Sequence, residues 1–522
     1  MIAGVTLTPL RQIPDERGMV MHMLRRTDPH FREFGEVYFS AVGHGAVKAW
    51  KRHRMMTLNL ACVHGAVRLV IYDDRPESPT CGQIQDITLS PQTPDQYALV
   101  TIPPMLWTGF IGVAPGESLL CNCASLPHDP AEADRRDEND PAFPKVWPEP
   151  GASVRLSRSS IAGSDIAAVG DTLQRAYLGM GKETEAFEQE LSAYFGGREA
   201  MCVSTGTAAL HLALQAIGVG PGDEVLVPTL TYVASFQAVS ATGATPVACD
   251  VRAEDGWIDV ADAARRITPR TRAIMPVHYA SGSGGLAEVY ALAEQHGLRV
   301  IEDAAHAFGC TLREARIGSF GDIVCFSFDG IKNITSGEGG AVVTADAGVA
   351  ERVKSARLLG VLKDTETRYA GKRSWDFDVT AQGWRYHMSN INAALGRAQL
   401  HRLDITFAPR RVHLARRYVE RLAGMPDVRL LPLDYGPVVP HIFPILISGG
   451  KRDAVREALR VVNIESGIHY KPNHLLSYYG GGATPLPVAE QLYAELLSLP
   501  LHAELTEDEQ DRVFAVLERT LR

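Results

Sequence analysis

The sequence lacks the features that would place the chain in a membrane or on nucleic acid. No run of about 18 apolar residues occurs, so no membrane-spanning helix is predicted. The first residues contain no basic segment followed by an apolar core, so no secretory signal is predicted either. The 52 basic side chains are outnumbered by 61 acidic ones, which gives a formal net charge of −9. This excess of acidic groups disfavours binding to nucleic acid or to an anionic membrane.

Cysteine is also scarce, with 8 residues scattered along 522 positions. Cys121 and Cys123 form a close pair on a predicted strand, where alternate side chains share one face. Because no further ligands follow at the spacing of a zinc site, we predict no bound metal. Scattered cysteines of this kind are typical of reduced thiols, and we therefore expect a cytoplasmic protein.

What the sequence does contain divides it into two unlike parts. Residues 1–128 hold short apolar or alternating runs separated by turn-forming residues, which predict an all-β sandwich or barrel. Residues 129–153 are charged and rich in proline, which predicts a linker. Farther on, strands alternate with helices, so we expect an α/β domain with a mostly parallel sheet over 154–405. A smaller α/β segment is predicted over 406–522.

The second part is organised around Lys332, which lies on a turn between an apolar strand and a Gly-rich segment. Burial among apolar and glycine positions disfavours the ammonium form and makes a lysine nucleophilic enough to form a Schiff base. A lone lysine on a turn is more often solvated, so this interpretation needs partners elsewhere. Asp303 ends an apolar strand, where it could hold a protonated ring nitrogen or simply cap a helix.

Two more features complete the pattern. Residues 204–210, Ser-Thr-Gly-Thr-Ala-Ala-Leu, follow a strand and open a helix, and their small size lets backbone N–H groups and hydroxyls reach a phosphate. A plain helix cap is the alternative for this segment. Tyr232 follows another strand and is placed to stack on a flat ring, with a core position as the alternative. An anion site, a ring-stacking tyrosine, a strand-end aspartate and a shielded lysine in one domain indicate a shared site.

Residues from about 155 to 522 resemble the DegT/StrS-type sugar-nucleotide aminotransferases, fold-type-I enzymes that depend on pyridoxal 5′-phosphate (PLP). The matching motifs are Ser204-Thr-Gly-Thr-Ala-Ala-Leu, Ile301-Glu-Asp-Ala-Ala-His, Phe326-Ser-Phe-Asp-Gly-Ile-Lys-Asn-Ile-Thr-Ser-Gly-Glu-Gly-Gly, Gly383-Trp-Arg-Tyr-His-Met-Ser-Asn and Ser498-Leu-Pro-Leu-His. The resemblance implies a seven-stranded sheet, a small C-terminal lobe, and a homodimer whose sites are shared between subunits.

The same resemblance implies roles for individual residues. Lys332 is expected to bind the cofactor covalently and to move the proton between the substrate carbon and cofactor C4′. Asp303 is expected to pair with the pyridine nitrogen. Tyr232 and His306 are expected to enclose the ring. The phosphate-binding positions that it implies are Gly206, Thr207 and Ser327.

The chain departs from the family pattern in two places. Arg385 stands where the family usually has asparagine, in a tract that reaches the neighbouring subunit's site in relatives, and an arginine there is expected to contact the cofactor phosphate. Residues 281–285, Ser-Gly-Ser-Gly-Gly, replace the usual residues after His278. His278, His469 and Tyr470 are candidate substrate-binding residues.

The resemblance implies that an amino group passes from glutamate to a nucleotide-linked keto-deoxyhexose. The residues of the motif around Lys332 resemble those of the family members that aminate C4, which favours amination at C4 over C3. Some relatives carry histidine in place of the lysine and are dehydratases, so the lysine favours transamination. A PLP-dependent sugar dehydratase and a PLP-binding regulator without turnover are the alternatives, and the acidic net charge disfavours the regulator.

Residues 1–128 resemble a second family, the dTDP-4-dehydrorhamnose 3,5-epimerases, which are cupin-like β-barrels. The matching pieces are Asp15-Glu-Arg-Gly, Gly45-Ala-Val-Lys-Ala-Trp-Lys-Arg-His and Gly65-Ala-Val-Arg-Leu-Val-Ile-Tyr-Asp-Asp. The family's catalytic histidine is replaced by Lys51, with His53 two positions on and on the same face of the strand. The family's catalytic tyrosine is absent from the stretch 121–126.

Three interpretations of this domain stay open. We favour a non-catalytic module that binds a sugar nucleotide or supports dimerisation. The alternatives are a different ketosugar isomerase that uses His53 or Lys51, which would make the chain bifunctional, and a true 3,5-epimerase. Arg17 and His53 are candidate substrate-binding residues, since an arginine could hold the pyrophosphate.

Overall fold

The computed structural model describes residues 1–43, 45–114, 116–138, 140–144, 146–147, 153–361, 364–372, 375–480 and 484–521. Met1–Ser153 with Arg460–Asn463 form one compact unit, and Val154–Leu459 with Ile464–Arg522 form a second. Within the described residues, no helix combines the length and the apolar character that a bilayer crossing requires.

The first unit is all-β, as the sequence predicts. Its strands are β1 (Thr6–Pro9), β2 (Gln12–Asp15), β3 (Gly18–Met21), β4 (Glu36–Gly43), β5 (Val47–His53), β6 (Leu58–His64), β7 (Val67–Tyr72), β8 (Ile84–Leu89), β9 (Ala98–Ile102), β10 (Trp107–Gly112), β11 (Glu117–Ala124) and β12 (Ala133–Arg135). Two antiparallel sheets result, in the orders β1-β9-β6-β11-β4 and β12-β5-β10-β7-β8. Strands β2 and β3 form a separate hairpin.

A hydrophobic core joins the two sheets. Leu60 and Val100 belong to one sheet and Leu69 and Ile71 to the other, and all four lie in a single buried cluster. The alternation of side chains along each strand explains this arrangement, because every second residue of a strand points to the same face.

The charged stretch after residue 128 is not the free linker that its composition suggests. Strand β12 pairs antiparallel with β5. Phe143 and Trp147 pack on Trp50, with ring centroids 5.2 and 5.1 Å apart. Because a few aromatic side chains can anchor a polar segment, composition alone placed the end of the domain too early.

The second unit is an α/β domain. Its elements up to residue 402 are α1 (Gly163–Gln174), α2 (Lys182–Tyr194), β13 (Glu199–Val203), α3 (Gly206–Ala216), β14 (Glu224–Pro228), α4 (Val233–Ala241), β15 (Thr245–Cys249), α5 (Val260–Arg265), β16 (Thr271–Ile274), α6 (Leu286–His296), β17 (Arg299–Asp303), β18 (Thr311–Leu312), β19 (Ala315–Arg316), β20 (Ile323–Ser327), β21 (Gly340–Thr344), α7 (Ala347–Ala356), α8 (Asp364–Tyr369) and α9 (Asn390–Arg402).

The predicted seven-stranded, mostly parallel sheet is confirmed. Its order is β13-β21-β20-β17-β16-β14-β15, with β21 antiparallel to both of its neighbours and the other pairs parallel. Val342 and Val343 are adjacent on β21 but belong to different buried clusters, one containing residues of α3 and α4 and the other residues of α2 and α9. Helices therefore cover both faces of the sheet.

A smaller lobe follows. Its elements are α10 (Ala408–Leu422), β22 (Val428–Leu430), β23 (Phe443–Ile447), α11 (Arg452–Val461), α12 (Pro487–Glu495), β24 (Leu496–Leu499) and α13 (Glu507–Leu521). The three strands form an antiparallel sheet. A π-helical turn, Leu403–Phe407, joins α9 to α10, so the boundary predicted at residue 405 lies within one continuous helical stretch.

Candidate active site

The carboxyl ends of the parallel strands carry the residues that the sequence singles out. Asp303 is the last residue of β17 and Ser327 the last of β20. Parallel strands place their carboxyl ends at one edge of a sheet, where α/β proteins bind ligands. A cavity of about 480 Å³ opens at this edge. Among its lining residues are Gly206, Thr207, Tyr232, Asp303, His306, Ser327, Lys332, His469 and Tyr470.

One end of the cavity is built to hold an anion. Helix α3 begins at Gly206, and the N-cap residue Thr205 accepts a hydrogen bond from the backbone of Ala208 at 3.0 Å. The free N–H groups and the dipole of such a helix start attract a phosphate. A Cβ added at Gly206 would lie 2.8 Å from Cβ of Ser327. Glycine therefore lets the helix start and the end of β20 approach closely enough to form a small cradle.

Asp303 is buried and its carboxylate is held from two sides. Oδ2 accepts a hydrogen bond from Oγ of Ser235 at 2.7 Å, and Oδ1 accepts one from the backbone N–H of Ala305 at 3.2 Å. Ser235 in turn lies 2.9 Å from Oγ1 of Thr231. Hydrogen bonds of this kind fix the direction in which a carboxylate points. Sequence reasoning missed Ser235, whose only signal is its position in the first turn after Tyr232.

Lys332 lies within the cavity and is half-buried. Its Nζ is 3.3 Å from Nε2 of His441. Desolvation lowers the pKa of Lys332 to about 8, although the nearby carboxylates of Asp303 and Asp329 act in the opposite direction. An ordinary lysine has a pKa of about 10.4, so this side chain loses its proton much nearer to neutrality.

Flat side chains line the same cavity. His306 is buried, and its Nε2 is 3.0 Å from the hydroxyl of Tyr470. Burial and the charge of Lys332 hold the pKa of His306 well below its usual range, so the ring is neutral. Tyr232 is 60% exposed, and its ring centroid is 5.7 Å from that of Tyr470. The rings of Tyr232 and His306 are thus available to enclose a planar ligand.

The segment 469–470 brings two candidate substrate-binding residues to the cavity. Nδ1 of His469 lies 2.7 Å from Oγ of Ser498. Burial, together with the charge of Lys332, lowers the pKa of His469 to about 4. The smaller lobe therefore supplies neutral polar groups to a site whose other residues come from the large sheet.

His278 lies elsewhere, contrary to the expectation that it binds substrate. It is fully buried, with Nε2 2.8 Å from Oε2 of Glu302 and Nδ1 3.1 Å from the carbonyl oxygen of Gly282. It does not line the described cavity. A histidine whose two ring nitrogens are both engaged inside the core is a packing residue.

Arg385 also lies outside the cavity of its own chain. It lines a separate cavity of about 170 Å³, together with Arg368, His387 and the aromatic residues Trp375 and Phe377. Its expected contact with a phosphate in a neighbouring subunit stays a prediction.

In the all-β unit, His53 is part of a buried pair. Its Nδ1 is 2.5 Å from Oε2 of Glu132, whose other oxygen accepts backbone hydrogen bonds from Met55 and Met56. Desolvation lowers the pKa of His53, so the ring is neutral near pH 7. Burial disfavours the charge of Glu132, but the hydrogen bonds from Met55 and His53 outweigh it and lower the pKa of that carboxyl. The proton of the imidazole therefore lies on Nδ1, which leaves Nε2 unprotonated.

Further polar groups accompany this pair. The hydroxyl of Tyr38 accepts a hydrogen bond from Nδ2 of Asn122 at 2.9 Å across the pairing of β4 with β11. Burial raises the pKa of Tyr38, and the charge of Glu132 adds to the effect. Burial lowers the pKa of Lys51, and Arg135 lowers it further. Sequence reasoning missed Tyr38, Asn122 and Glu132, the last because it lies in the stretch interpreted as a linker.

Arg17 has a different setting from the one expected of a pyrophosphate ligand. It lies at the turn of the β2–β3 hairpin, and its guanidinium bonds the carboxylate of Asp15 at 3.0 Å. Its side chain is 85% exposed.

The site in the second unit fits PLP residue by residue. The cradle that requires Gly206 suits a phosphate, and the carboxylate of Asp303 suits a protonated pyridine nitrogen. The amine of Lys332 suits an aldehyde, and the rings of Tyr232 and His306 suit an aromatic plane.

Comparison with known proteins decides the family: the profile of the DegT/DnrJ/EryC1/StrS aminotransferases matches residues 159–518. The chain belongs to this family. It is a PLP-dependent sugar aminotransferase with an N-terminal domain of another kind, since the profile of dTDP-4-dehydrorhamnose 3,5-epimerase matches residues 1–165.

Individual relatives agree with this assignment. The spore coat polysaccharide biosynthesis protein SpsC of Bacillus subtilis is 35% identical over 364 residues, which are 68% of this chain and 93% of SpsC. The structure of DesV from S. venezuelae is 36% identical with a TM-score of 0.63, covering 69% of this chain and 94% of DesV. The structure of Spr1654 from Streptococcus pneumoniae in its PLP form is 28% identical with a TM-score of 0.65, covering 71% of this chain and all of that one.

Proposed function

We propose that this aminotransferase moves an amino group from glutamate to a nucleotide-linked keto-deoxyhexose, at C4 rather than C3. The product would be an amino sugar for a surface polysaccharide or a glycoside. The observation that carries the proposal is the presence of Lys332 and Asp303 in one cavity beside an anion cradle. Membership in a sugar aminotransferase family supports the acceptor class, and the name of SpsC supports a polysaccharide destination.

PLP, when bound, supplies an electron sink that makes a C–H bond next to the amino group acidic. Asp303 would keep the ring nitrogen protonated, since a carboxylate close to it favours the charged form. Ser235 keeps that carboxylate aimed by its hydrogen bond to Oδ2. Gly206, Thr207 and Ser327 would hold the phosphate and so set the depth of the ring in the cavity.

Lys332 would carry the proton between the two carbons that exchange it. A general acid–base group works best when its pKa lies near the operating pH. The pKa of about 8 allows Lys332 both to accept and to return a proton under physiological conditions. The half-buried setting of the amine also limits the access of water to the reacting atoms.

Substitution of Lys332 tests this assignment. Lys332→Ala and Lys332→Arg should each abolish turnover and the visible absorbance of the lysine-bound cofactor. Lys354→Ala is a matched control, because Lys354 is a surface residue that bonds Glu199. Retained turnover in either Lys332 variant would refute the proposal.

A product analysis tests the acceptor, the donor and the position. The full chain would be given a panel of 3-keto and 4-keto sugar nucleotides with ¹⁵N-glutamate, and the products analysed by mass spectrometry and NMR. We expect ¹⁵N at C4. Label at C3 would correct the position, and loss of water without label would establish the dehydratase alternative.

We further propose that the enzyme acts as a homodimer whose sites are shared. Arg385 lies outside its own chain's cavity, next to Trp375, which is 86% exposed, and to the exposed Phe377. An exposed aromatic patch beside a cation favours contact with a second protein surface. The partner's copy of this patch would then supply an arginine to the phosphate.

A second candidate function concerns the all-β unit, and the pair of His53 with Glu132 favours it. A neutral imidazole held by a carboxylate is suited to remove a proton from a carbon next to a ketone. Tyr38 lies on β4 and His53 on β5, so they come from different sheets. Tyr38 and His53 together could move a proton to and from the carbon next to the ketone of a keto sugar. This activity would make the chain bifunctional.

Solvent exchange distinguishes this candidate from a binding module. The Lys332→Ala chain, which cannot aminate, would be incubated in D₂O with a 4-keto sugar nucleotide. Incorporation of deuterium at C3 or C5 would support proton transfer by this unit. A second substitution, His53→Gln, should abolish the incorporation, whereas His64→Gln should not. No incorporation with the Lys332→Ala chain would favour the module.

A further inference from the structure

His441 is a residue of the site to which neither the sequence pattern nor the family match assigns a role. It lies just before β23 and lines the cavity. It is only 5% exposed, and its Nε2 is 3.3 Å from Nζ of Lys332. Within the part of the chain that the structure describes, His441 is the hydrogen-bond partner of the lysine amine.

The ring nitrogens of His441 have different surroundings from those of two packing histidines, His278 and His474. His278 bonds Glu302 and Gly282 through its two nitrogens, and His474 likewise bonds Thr229 and Glu490. Nδ1 of His441, by contrast, is buried without a hydrogen-bond partner among the described residues. The contact of its Nε2 with the amine of Lys332 therefore sets this ring apart, because it points at the reactive group of the cavity.

The position of the ring is nevertheless well determined. The backbone N–H of His441 donates to Oγ of Ser281 at 3.0 Å, and its carbonyl oxygen accepts from Nη1 of Arg411 at 3.3 Å. The ring centroid lies 4.6 Å from that of His306. A fixed imidazole therefore faces an amine on a flexible four-carbon stem.

Burial, helped by neighbouring charge, keeps the imidazole of His441 neutral. Burial holds the pKa of His441 well below its usual range, and the neighbouring cations and rings add to this effect. The groups that act on it are Lys332, His306, Arg411 and His469. The carboxylates that face the lysine amine are those of Asp303 and Asp329. A neutral ring can share a hydrogen bond with the lysine amine without repelling it.

We propose that His441 is a positioning residue that holds the amine of Lys332 whenever this amine is not bonded to the cofactor. This inference deepens the proposed function and rests on it. Without such a partner, the freed lysine would be spread over many rotamers of its long side chain. When it is bonded to His441, the amine is held in one position at the wall of the cavity.

The step that this arrangement serves is the exchange of one C–N bond for another. When Lys332 captures the aldehyde, Nζ bonds to the aldehyde carbon, and the two amine hydrogens leave with the aldehyde oxygen as one water. When an amino donor takes its place, Nζ leaves the carbon and recovers its two hydrogens from the incoming amine. His441 lies close enough to hydrogen-bond the amine after it leaves the carbon, and the amine can attack the carbon again from this position.

Capture of PLP by the apoprotein tests the proposal without reference to turnover. Apoprotein would be mixed with PLP in a stopped-flow instrument and the visible absorbance followed. We expect His441→Ala to slow the capture about 10- to 100-fold, as for other residues that orient a reacting group, with an unchanged final absorbance. Imidazole added to the buffer should restore part of the rate, because the deleted side chain leaves a space of its own shape.

Two further variants keep the test decisive. His413→Ala removes an exposed histidine that bonds Glu507, and it should capture PLP at the wild-type rate with or without imidazole. His441→Asn keeps a short polar side chain and is used if the alanine variant does not fold; it should capture PLP faster than His441→Phe. Capture at the wild-type rate by the variants, or a slow rate that imidazole does not improve, would overturn the proposal. If the wild-type chain captures PLP but aminates no sugar, the proposed function fails while this result stands.

Discussion

At the scale of the residue, the site depends on changes in proton affinity that burial produces. The pKa of Lys332 falls to about 8 and that of His469 to about 4, since both lose hydration in the same cavity. Removing water disfavours a charged ammonium and a charged imidazolium alike. The cavity thus holds a reactive amine among neutral rings.

The lowered pKa of Lys332 predicts how the apoprotein takes up PLP. Only the neutral amine attacks an aldehyde, so the rate of uptake should rise with pH up to a midpoint of about 8 and level off above it. The measurement is the stopped-flow rate from pH 6 to 10. A midpoint near 10.4, the value of an exposed lysine, would show that the amine is not desolvated.

The proposed pairing of Asp303 with the ring nitrogen of PLP predicts a graded loss of activity. Asp303→Asn removes the charge and should reduce kcat about 100- to 1,000-fold, as for other electrostatic groups of an active site. Ser235→Ala removes only the hydrogen bond to Oδ2 and should cost about tenfold. Steady-state kinetics with the best acceptor gives both numbers. A larger loss for Ser235→Ala than for Asp303→Asn would contradict this order.

At the scale of the element, the site arises where a helix start meets the end of a strand. Helix α3 begins directly after β13, and β20 ends against its first residue, Gly206. The close approach depends on the absence of a side chain at position 206, because a Cβ there would collide with Ser327.

The cradle predicts a glycine-specific loss of cofactor affinity. A Cβ at position 206 would lie 2.8 Å from Ser327, so Gly206→Ala should weaken PLP binding about 10- to 100-fold. Gly170 lies within α1 with no atom within 4 Å of an added Cβ, and Gly170→Ala should leave the affinity unchanged. Equilibrium titration of the apoprotein with PLP measures both. Equal affinities for the two variants would exclude the cradle.

In the all-β unit, the stretch after residue 128 predicts a local stability effect. Phe143 packs on Trp50 and Trp107, with ring centroids 5.2 and 4.9 Å apart. Phe143→Ala should speed hydrogen exchange in Val47–His53 about tenfold, the equivalent of about 1.4 kcal/mol. Phe34 is 68% exposed, and Phe34→Ala should have no such effect. Unchanged exchange in the Phe143 variant would restore the linker interpretation.

At the scale of the whole molecule, the chain combines two compact units that carry separate clusters of titratable groups. His53 and Glu132 belong to the first unit, and Lys332 and Asp303 to the second. The second unit has the dimensions of a complete relative, since this chain covers 93% of SpsC. Arg385 lines a different cavity from the one that holds Lys332, and the proposed dimer would bring this arginine to the site of a second copy.

Subunit mixing tests the shared site. Lys332→Ala and Arg385→Ala should each be inactive or nearly so, for different reasons. After the two are mixed and allowed to exchange subunits, half of the dimers would be mixed, and each of these would hold one intact site. Activity should therefore return to about one quarter of the wild-type value by the symmetry of a two-fold dimer. No recovery after proven exchange would show that each chain completes its own site.

The sequence by itself determined the class of each part and predicted many of the residues that line the cavity of the second unit. Strand alternation predicted the all-β unit, and the motif around Lys332, with its counterpart at Asp303, predicted the residues that the fold brings together. These signals are local, because they depend on residue type and on spacing along the chain.

Only the tertiary structure decided which polar groups face each other across long separations. His441 is 109 residues from Lys332 and Glu132 is 79 from His53, and no pattern along the chain links either pair. His278 is the opposite case. Its motif predicts a substrate-binding residue, but its side chain bonds Glu302 inside the core. Hydrogen bonding and desolvation are short-range effects in space, so they follow the fold rather than the order of residues.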